Sequence, residues 1–197
     1  MVQTPKWYLF DYGMVISTAP EDRDWDLLED ALGMPMRQDE SPYWQHREDF
    51  DAGRLSSQEY WAKVAGTEVS EGTVSRLDSL DALQWSHLNL DTLDVLEDLS
   101  RQGHQLAVLS NMPVAMADEF SSQPWTQYFE RLFFSGHLGL IKPDPEIFRR
   151  IAQELDASPE DIVFVDDKKV NVEAAAAEGY QTVHHHPDVD LQKELGL

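Results

Sequence analysis

Two uninterrupted apolar runs, Leu106-Ala107-Val108-Leu109 and Ile162-Val163-Phe164-Val165, constrain this chain more than any other feature. Neither alternates with polar residues, so each reads as a strand covered on both faces, the pattern of a buried parallel sheet. A third run, Trp7-Tyr8-Leu9-Phe10, is aromatic and stops at Asp11-Tyr12-Gly13. Leu132-Phe133-Phe134-Ser135 and Gln181-Thr182-Val183-His184 read as two more short strands. Helical signals separate them. Asp91-Thr92-Leu93-Asp94 opens a helix whose stripe is Leu93, Leu96 and Leu99, with Gly103 as its stop. Another helix is expected from Val114 to Phe120. Asp144-Pro145-Glu146 supplies an N-cap, a first-turn proline and an acid, ahead of Ile147, Phe148, Ile151 and Leu155 on one face. Ser158-Pro159-Glu160-Asp161 is a turn, and an alanine-rich helix over 172–178 ends at Gly179. This alternation predicts an α/β fold, a doubly wound and mostly parallel sheet.

Residues 18–86 break the alternation. They are acidic, tryptophan-rich and helical in pattern, cut into short pieces by Gly33, Pro35, Pro42, Gly53, Gly66 and Gly72. Ser57-Gln58-Glu59-Tyr60-Trp61 reads as a helix start. The segment follows the first strand directly, so it is expected to be an inserted helical cap. The organisation predicted is a core of 1–17 and 87–197 with a cap of 18–86. Trp25, Trp44, Trp61 and Trp85 are expected to fill the core of that insert.

Charge then limits the partners. The chain has 37 Asp and Glu against 15 Lys and Arg, a net charge of −22. Such a field repels nucleic acid and anionic membrane, and an anionic substrate would need a bound cation beside it. With 0 cysteines, disulfides, thiolate nucleophiles, zinc-thiolate sites and iron–sulfur clusters are excluded. No apolar stretch approaches the ~18 residues of a spanning helix. Met1-Val2-Gln3-Thr4-Pro5-Lys6 runs into the first strand without a leader pattern, and a cytoplasmic place is expected. Oligomeric state has no sequence signal here. His184-His185-His186 resembles a metal site, but adjacent strand residues point to opposite faces, so it is expected to be a surface feature.

Ligands of open parallel sheets bind beyond the carboxyl ends of the strands. Three strands here end in reactive residues: Asp11, Ser110-Asn111 and Asp166-Asp167. Lys142 lies in a loop that could face the same crevice. Several carboxylates with one lysine suggest a hard cation with oxygen ligands, Mg²⁺ above all, bridging the acids to a phosphate. Ser110 and Asn111, at a helix start, could donate hydrogen bonds to phosphate oxygens. Lys142 could neutralise the transferring group, and an aspartate could attack phosphorus.

Taken together, Phe10-Asp11-Tyr12-Gly13-Met14-Val15, Leu109-Ser110-Asn111, Ile141-Lys142-Pro143-Asp144 and Phe164-Val165-Asp166-Asp167 with Asn171 resemble, in order, the four motifs of the haloacid dehalogenase superfamily. The resemblance covers the whole chain, because that family places a small helical cap after its first motif. Gly53-Arg54-Leu55-Ser56 with Tyr60-Trp61 resembles a cap segment of its sugar-phosphatase-like members. The resemblance implies a Rossmann-like core and a Mg²⁺-dependent phosphatase acting on a small phosphorylated molecule. It implies Asp11 as nucleophile, and Asp11, the Gly13 carbonyl and Asp167 around the metal. Asp166 would be an accessory ligand or act through water. Ser110 would bind the phosphoryl group, with Asn111 beside it, Lys142 would bridge Asp11 and phosphate, and Asn171 would support the acidic loop.

One position departs from the pattern. Most phosphatases of that family carry a second aspartate two residues after the nucleophile, which protonates the leaving alcohol. Here Gly13 stands there, and general acid–base help is typically worth ~10²–10⁴-fold. His46, Glu48 and Asp49 are candidate replacements from the insert. Two other readings follow from Gly13: a non-catalytic member that binds a phosphorylated ligand, or a 2-haloacid dehalogenase, whose halide leaves without a proton.

Overall fold

The computed structural model describes residues 7–197, so the expectation for Met1–Lys6 lies outside the described residues. Five strands form one sheet: β1 (Trp7–Phe10), β2 (Gln105–Ser110), β3 (Arg131–Phe134), β4 (Ile162–Asp166) and β5 (Gln181–His184). Their order is β3-β2-β1-β4-β5, and every pairing is parallel. Between β1 and β2 lie α1 (Asp22–Leu32), α2 (Pro42–Gln45), α3 (Arg47–Asp51), α4 (Ser57–Ala65), α5 (Glu71–Gln84) and α6 (Leu90–Arg101). After β2 come α7 (Val114–Phe120), α8 (Ser135–Leu138), α9 (Pro145–Glu154), α10 (Lys169–Ala177) and α11 (Leu191–Leu195). No helix among the described residues is long and apolar enough to cross a membrane.

The uninterrupted apolar runs are explained by two covered faces. Tyr8, Phe10, Leu106, Val108, Val163 and Val165 point to one side, where they meet Val95, Leu96 and Leu99 of α6 and Phe120 of α7. Trp7, Leu9, Ala107, Leu109, Ile162 and Phe164 point to the other, against Ile147, Phe148 and Ile151 of α9. The period of two along each strand sorts them. Element ends differ from the sequence reading in three places. Asn89 is the N-cap of α6, so that helix begins at Leu90. Ser135 leaves β3 to open α8. The first residues of α10 come earlier than 172, because Asp166 Oδ1 accepts from Lys168 N at 2.8 Å and turns the chain into the helix at Lys169.

The segment Asp22–Gln84 is helical throughout its regular elements and has its own cluster, with Trp25, Leu28, Tyr43, Tyr60, Trp61 and Leu77 buried in it. A capping box in which Ser56 and Glu59 exchange hydrogen bonds starts α4. Of the four tryptophans expected in this core, Trp25 and Trp61 lie in it and Trp44 packs at its edge. Trp85 does not belong to it: its ring packs against the cluster on the β-sheet. The two chain crossings between segment and sheet run antiparallel, with Thr18 N donating to His87 O at 2.7 Å and Asn89 N to Ile16 O at 2.8 Å. His87 Nε2 donates across them to Asp24 Oδ2 at 2.7 Å.

One contact brings the end of α3 against α8. Gly53 has φ +69°, and a Cβ there would lie 2.4 Å from Gly136 O. Ser135 Oγ donates to Asp51 O at the same place. Gly53→Ala is therefore expected to cost about 1–3 kcal/mol, from the left-handed backbone and the forced separation together. Urea unfolding measures it, and a stability equal to that of the parent protein would show that this contact is looser than it stands here.

Candidate functional site

The site is built where β1, β2 and β4 end. Asp11 follows β1 and is tied to β4 by its N–H, which donates to Val165 O at 2.8 Å. Its Oδ1 accepts from Tyr12 N at 2.7 Å. The chain then leaves through a tight turn in which Met14 takes φ 60° and Ser17 N closes on Tyr12 O at 2.8 Å. A Cβ at Gly13 would meet only the Trp85 ring, at 3.8 Å. That is ordinary contact, so packing does not demand glycine there.

Lys142 comes from the loop before α9 and is 3% exposed. Its Nζ lies 3.0 Å from Asp11 Oδ1 and donates to Asp166 Oδ2 at 2.6 Å and to Leu109 O at 2.9 Å. Asn111 holds that loop: its Nδ2 donates to Lys142 O and its Oδ1 accepts from Lys142 N, both at 2.9 Å. Both ends of the Asn111 amide thus meet the lysine backbone, while the residue itself lines the site cavity with its second Nδ2 hydrogen unused. The expectation of a helix start at Ser110-Asn111 changes, since α7 begins only at Val114 after an extended Pro113. Ser110 is 3% exposed and lines the site cavity, and its hydroxyl has no hydrogen-bond partner among the described residues.

Asp166 is fully buried and enclosed by donors. Asn171 Nδ2 reaches both of its oxygens at 3.0 Å, in addition to Lys142 and the Lys168 N–H. Asp167 is half-buried, and no other residue's donor among the described residues reaches its carboxylate. His184 Nε2 donates to Asp167 O at 2.9 Å, so the histidine run steadies this loop from outside. His184 and His186 are exposed.

Carboxylate oxygens of Asp11, Asp166 and Asp167 all lie within 4.8 Å of one another. Burial pushes the Asp11 carboxyl above its ordinary range; Lys142 opposes the shift, and Asp166 and Asp167 add to it. Burial likewise raises Asp167, with Asp166 adding to it. Lys142 stays charged, because Asp11 and Asp166 outweigh the effect of its own burial. One ammonium facing three carboxylates leaves the cluster short of positive charge.

A cavity of about 520 Å³ opens over this cluster. Asp11, Ser110 and Asp167 form its floor, while Trp44, Arg47, Glu48 and Asp51 reach it from the helical segment. Of the three acid–base candidates chosen from the sequence, only Glu48 lines it. His46 does not, and Asp49 accepts from Arg54 Nε at 2.7 Å on the surface. Arg47, Asp51 and Trp85 line it and were not singled out as site residues. The Arg47–Asp51 pair has helical i,i+4 spacing, the one sequence signal that could have found it.

A family profile described as haloacid dehalogenase-like hydrolase matches residues 16–179. The chain is 28% identical over 155 residues to a D-ribitol-5-phosphate phosphatase of Bacteroides thetaiotaomicron, covering 75% of each chain. It is 39% identical over 71 residues to the drimenol cyclase drtB of Aspergillus calidoustus, which is 36% of this chain and spans only 13% of that protein. Among solved structures, a HAD family enzyme of Bacteroides thetaiotaomicron in complex with magnesium and inorganic phosphate superposes with a TM-score of 0.73 at 20% identity, over 97% of this chain and 99% of the other.

Proposed function

The chain belongs to the haloacid dehalogenase-like hydrolases, and from that premise we propose that it hydrolyses a small phosphomonoester through an aspartyl-phosphate on Asp11. The observation that carries this reading is the cluster of Asp11, Lys142, Asp166 and Asp167 at the carboxyl ends of β1 and β4, beneath a cavity and short of positive charge. The similarity to a sugar-alcohol phosphatase adds support. We take residues 18–86 as a cap over that cavity.

The residues fit a hard divalent cation. Asp11 and Asp167 with the Gly13 carbonyl would hold Mg²⁺, which supplies the positive charge that the three carboxylates lack and an anionic substrate needs. Asp166, with both oxygens already taken, orients Lys142 and the acidic loop. Lys142 opposes the rise of the Asp11 carboxyl and places its positive charge beside the phosphoryl group, to which the free Ser110 hydroxyl donates. The Asp11 carboxylate attacks phosphorus in line with the leaving alcohol.

Phosphate release from an aryl phosphate and a panel of sugar and polyol phosphates, with Mg²⁺ and with chelator, tests the reading. Metal-dependent release is expected; no release from any ester overturns it. The metal has its own readout. Mg²⁺ at a hundredfold excess over its Kd is expected to stabilise the protein by about 2.7 kcal/mol, a rise in Tm of roughly 5–10 °C. Chelator reverses the rise, and Asp167→Asn reduces it. An unchanged Tm, together with turnover in chelator, excludes this metal site.

A further inference from the structure

With glycine at position 13, the residue two after Asp11 carries no acid, and a proton for a leaving alcohol can come from another carboxyl of the cavity. Two carboxyls reach it from the helical segment. Glu48 has a side chain 78% exposed and leans on Arg54 at 3.5 Å, so nothing fixes where its carboxyl points. Asp51 differs in every respect. Its side chain is 14% exposed, and Oδ1 accepts from Arg47 Nε at 2.7 Å. No other donor among the described residues reaches its Oδ2. Arg47 is itself immobilised, with NH1 donating to both oxygens of Asp81 at 2.9 Å and to the Tyr43 hydroxyl. From below, Ser135 Oγ donates to Asp51 O, and the Gly53–Gly136 approach docks the end of α3 onto α8. A carboxyl thus stands in the cavity wall, oriented from both sides, with one oxygen uncommitted.

We propose that Asp51 is the general acid and base of this enzyme, exchanging a proton with the leaving-group oxygen in place of the carboxyl missing at position 13. The inference rests on the phosphatase reading above. In the first half, an Asp11 oxygen bonds to phosphorus as the bond from phosphorus to the alcohol oxygen breaks. The Asp51 proton goes to that oxygen, leaving a free alcohol and an Asp51 carboxylate. In the second half, a water oxygen bonds to phosphorus and the bond to Asp11 breaks. The water proton returns to Asp51, and inorganic phosphate departs. Both aspartates end as they began.

The surroundings suit that role. Charged and titratable groups act on Asp51 from the elements around it: Arg47 on α3, Tyr60 on α4, Asp81 on α5 and Lys168 after β4, while Tyr43 on α2 bonds to Arg47 and Asp81. Burial pushes its carboxyl up to about 6, against the pull of Arg47 and with the help of Asp81. A carboxyl in that range exchanges protons in both directions near neutral pH.

Asp51→Asn tests the proposal, since the amide oxygen can still accept from Arg47 Nε while no proton can be transferred. On a polyol phosphate, kcat/KM, which reads only the steps up to release of the alcohol, is expected to fall about 10²–10⁴-fold. On p-nitrophenyl phosphate, whose leaving group departs without protonation, the fall is expected to be at least about tenfold smaller. The wild-type alkaline limb for the polyol ester, descending as pH rises through about 6, is expected to be lost in the variant. Substrate ionisation is common to both proteins, so the difference isolates the residue. Equal losses on the two esters, or a Glu48→Gln variant that reproduces the selective loss, overturn the proposal while leaving the phosphatase reading in place. A wild type that releases phosphate from neither ester overturns both. Should the variant fold poorly, wild-type kcat/KM against leaving-group pKa decides: a slope shallow at pH 5 and steep at pH 8 supports Asp51, and equal slopes overturn it.

Discussion

Asp11→Asn is expected to lower phosphate release by at least about 10³-fold while making the metal-free protein no less stable. The first half follows from chemistry: an amide oxygen is far too weak a nucleophile to displace an alkoxide from phosphorus. The second half follows from the electrostatics of the cluster. Lys142 keeps two partners in the variant, Asp166 Oδ2 at 2.6 Å and Leu109 O at 2.9 Å, so no buried charge is orphaned. The amide oxygen can replace Oδ1 as acceptor for Tyr12 N. What disappears is one of three crowded carboxylates. Burial, then Asp166 and Asp167, hold the Asp11 carboxyl above its ordinary value of 3.8. A group raised on folding contributes stability that is present below its unfolded value and lost as pH rises through the folded one. The variant escapes that loss, so its advantage over wild type is expected to grow from pH 4 toward pH 7.5. Urea unfolding in chelator at those two pH values measures it. A variant that turns over like wild type removes Asp11 from the mechanism. One that is markedly less stable at neutral pH contradicts the charge balance described here.

The parts of this molecule that sequence made legible are those whose physical requirements are local. A strand buried on both faces must be apolar throughout, so β1, β2 and β4 can be read directly, and each marks the place where its polar end residue emerges. Asp11, Ser110 and Asp167 follow from that alone. Lys142 is legible only as a candidate, because nothing local to a loop says that it turns inward; Asn111, clamping its backbone, is what turns it. Asp166 and Asp167 look alike in sequence, yet one is enclosed by three donors and the other is left open, a difference made by Asn171 and Lys142 from other elements. The helical segment is the hard case. An amphipathic pattern tells which face of a helix is buried, but not against what. Trp85 therefore passes for an insert core residue while packing on the sheet cluster, and Asp51 lies two residues beyond Asp49 with no local mark of which one reaches the cavity.

Lys142→Met carries the largest expected effect on stability. Methionine fills much of the same space, so the loss is one of charge rather than of packing. Lys142 Nζ makes three contacts in a site 3% exposed, and removing it leaves Asp11 and Asp166 buried together without their counter-ion. Breaking a buried pair from one side typically costs about 3–5 kcal/mol, which for a chain of this size lowers Tm by roughly 6–20 °C. Without the ammonium, the Asp11 carboxyl is held further above its ordinary value, so the folded variant binds protons more avidly than the unfolded chain over a wider range. Stability then falls more steeply with rising pH than in wild type. The deficit is therefore expected to be larger at pH 8 than at pH 5, and smaller in Mg²⁺ than in chelator, because a cation held by Asp11 and Asp167 restores part of the missing charge. Turnover is expected to be lost at every pH, since the ammonium that lowers the Asp11 carboxyl and stands beside the phosphoryl group is gone. Unfolding in urea at both pH values, with and without Mg²⁺, separates the possibilities. A deficit that ignores both pH and metal would mean that Lys142 acts by filling space. One that shrinks with acid but not with Mg²⁺ would keep the ion pair and remove the metal from Asp11.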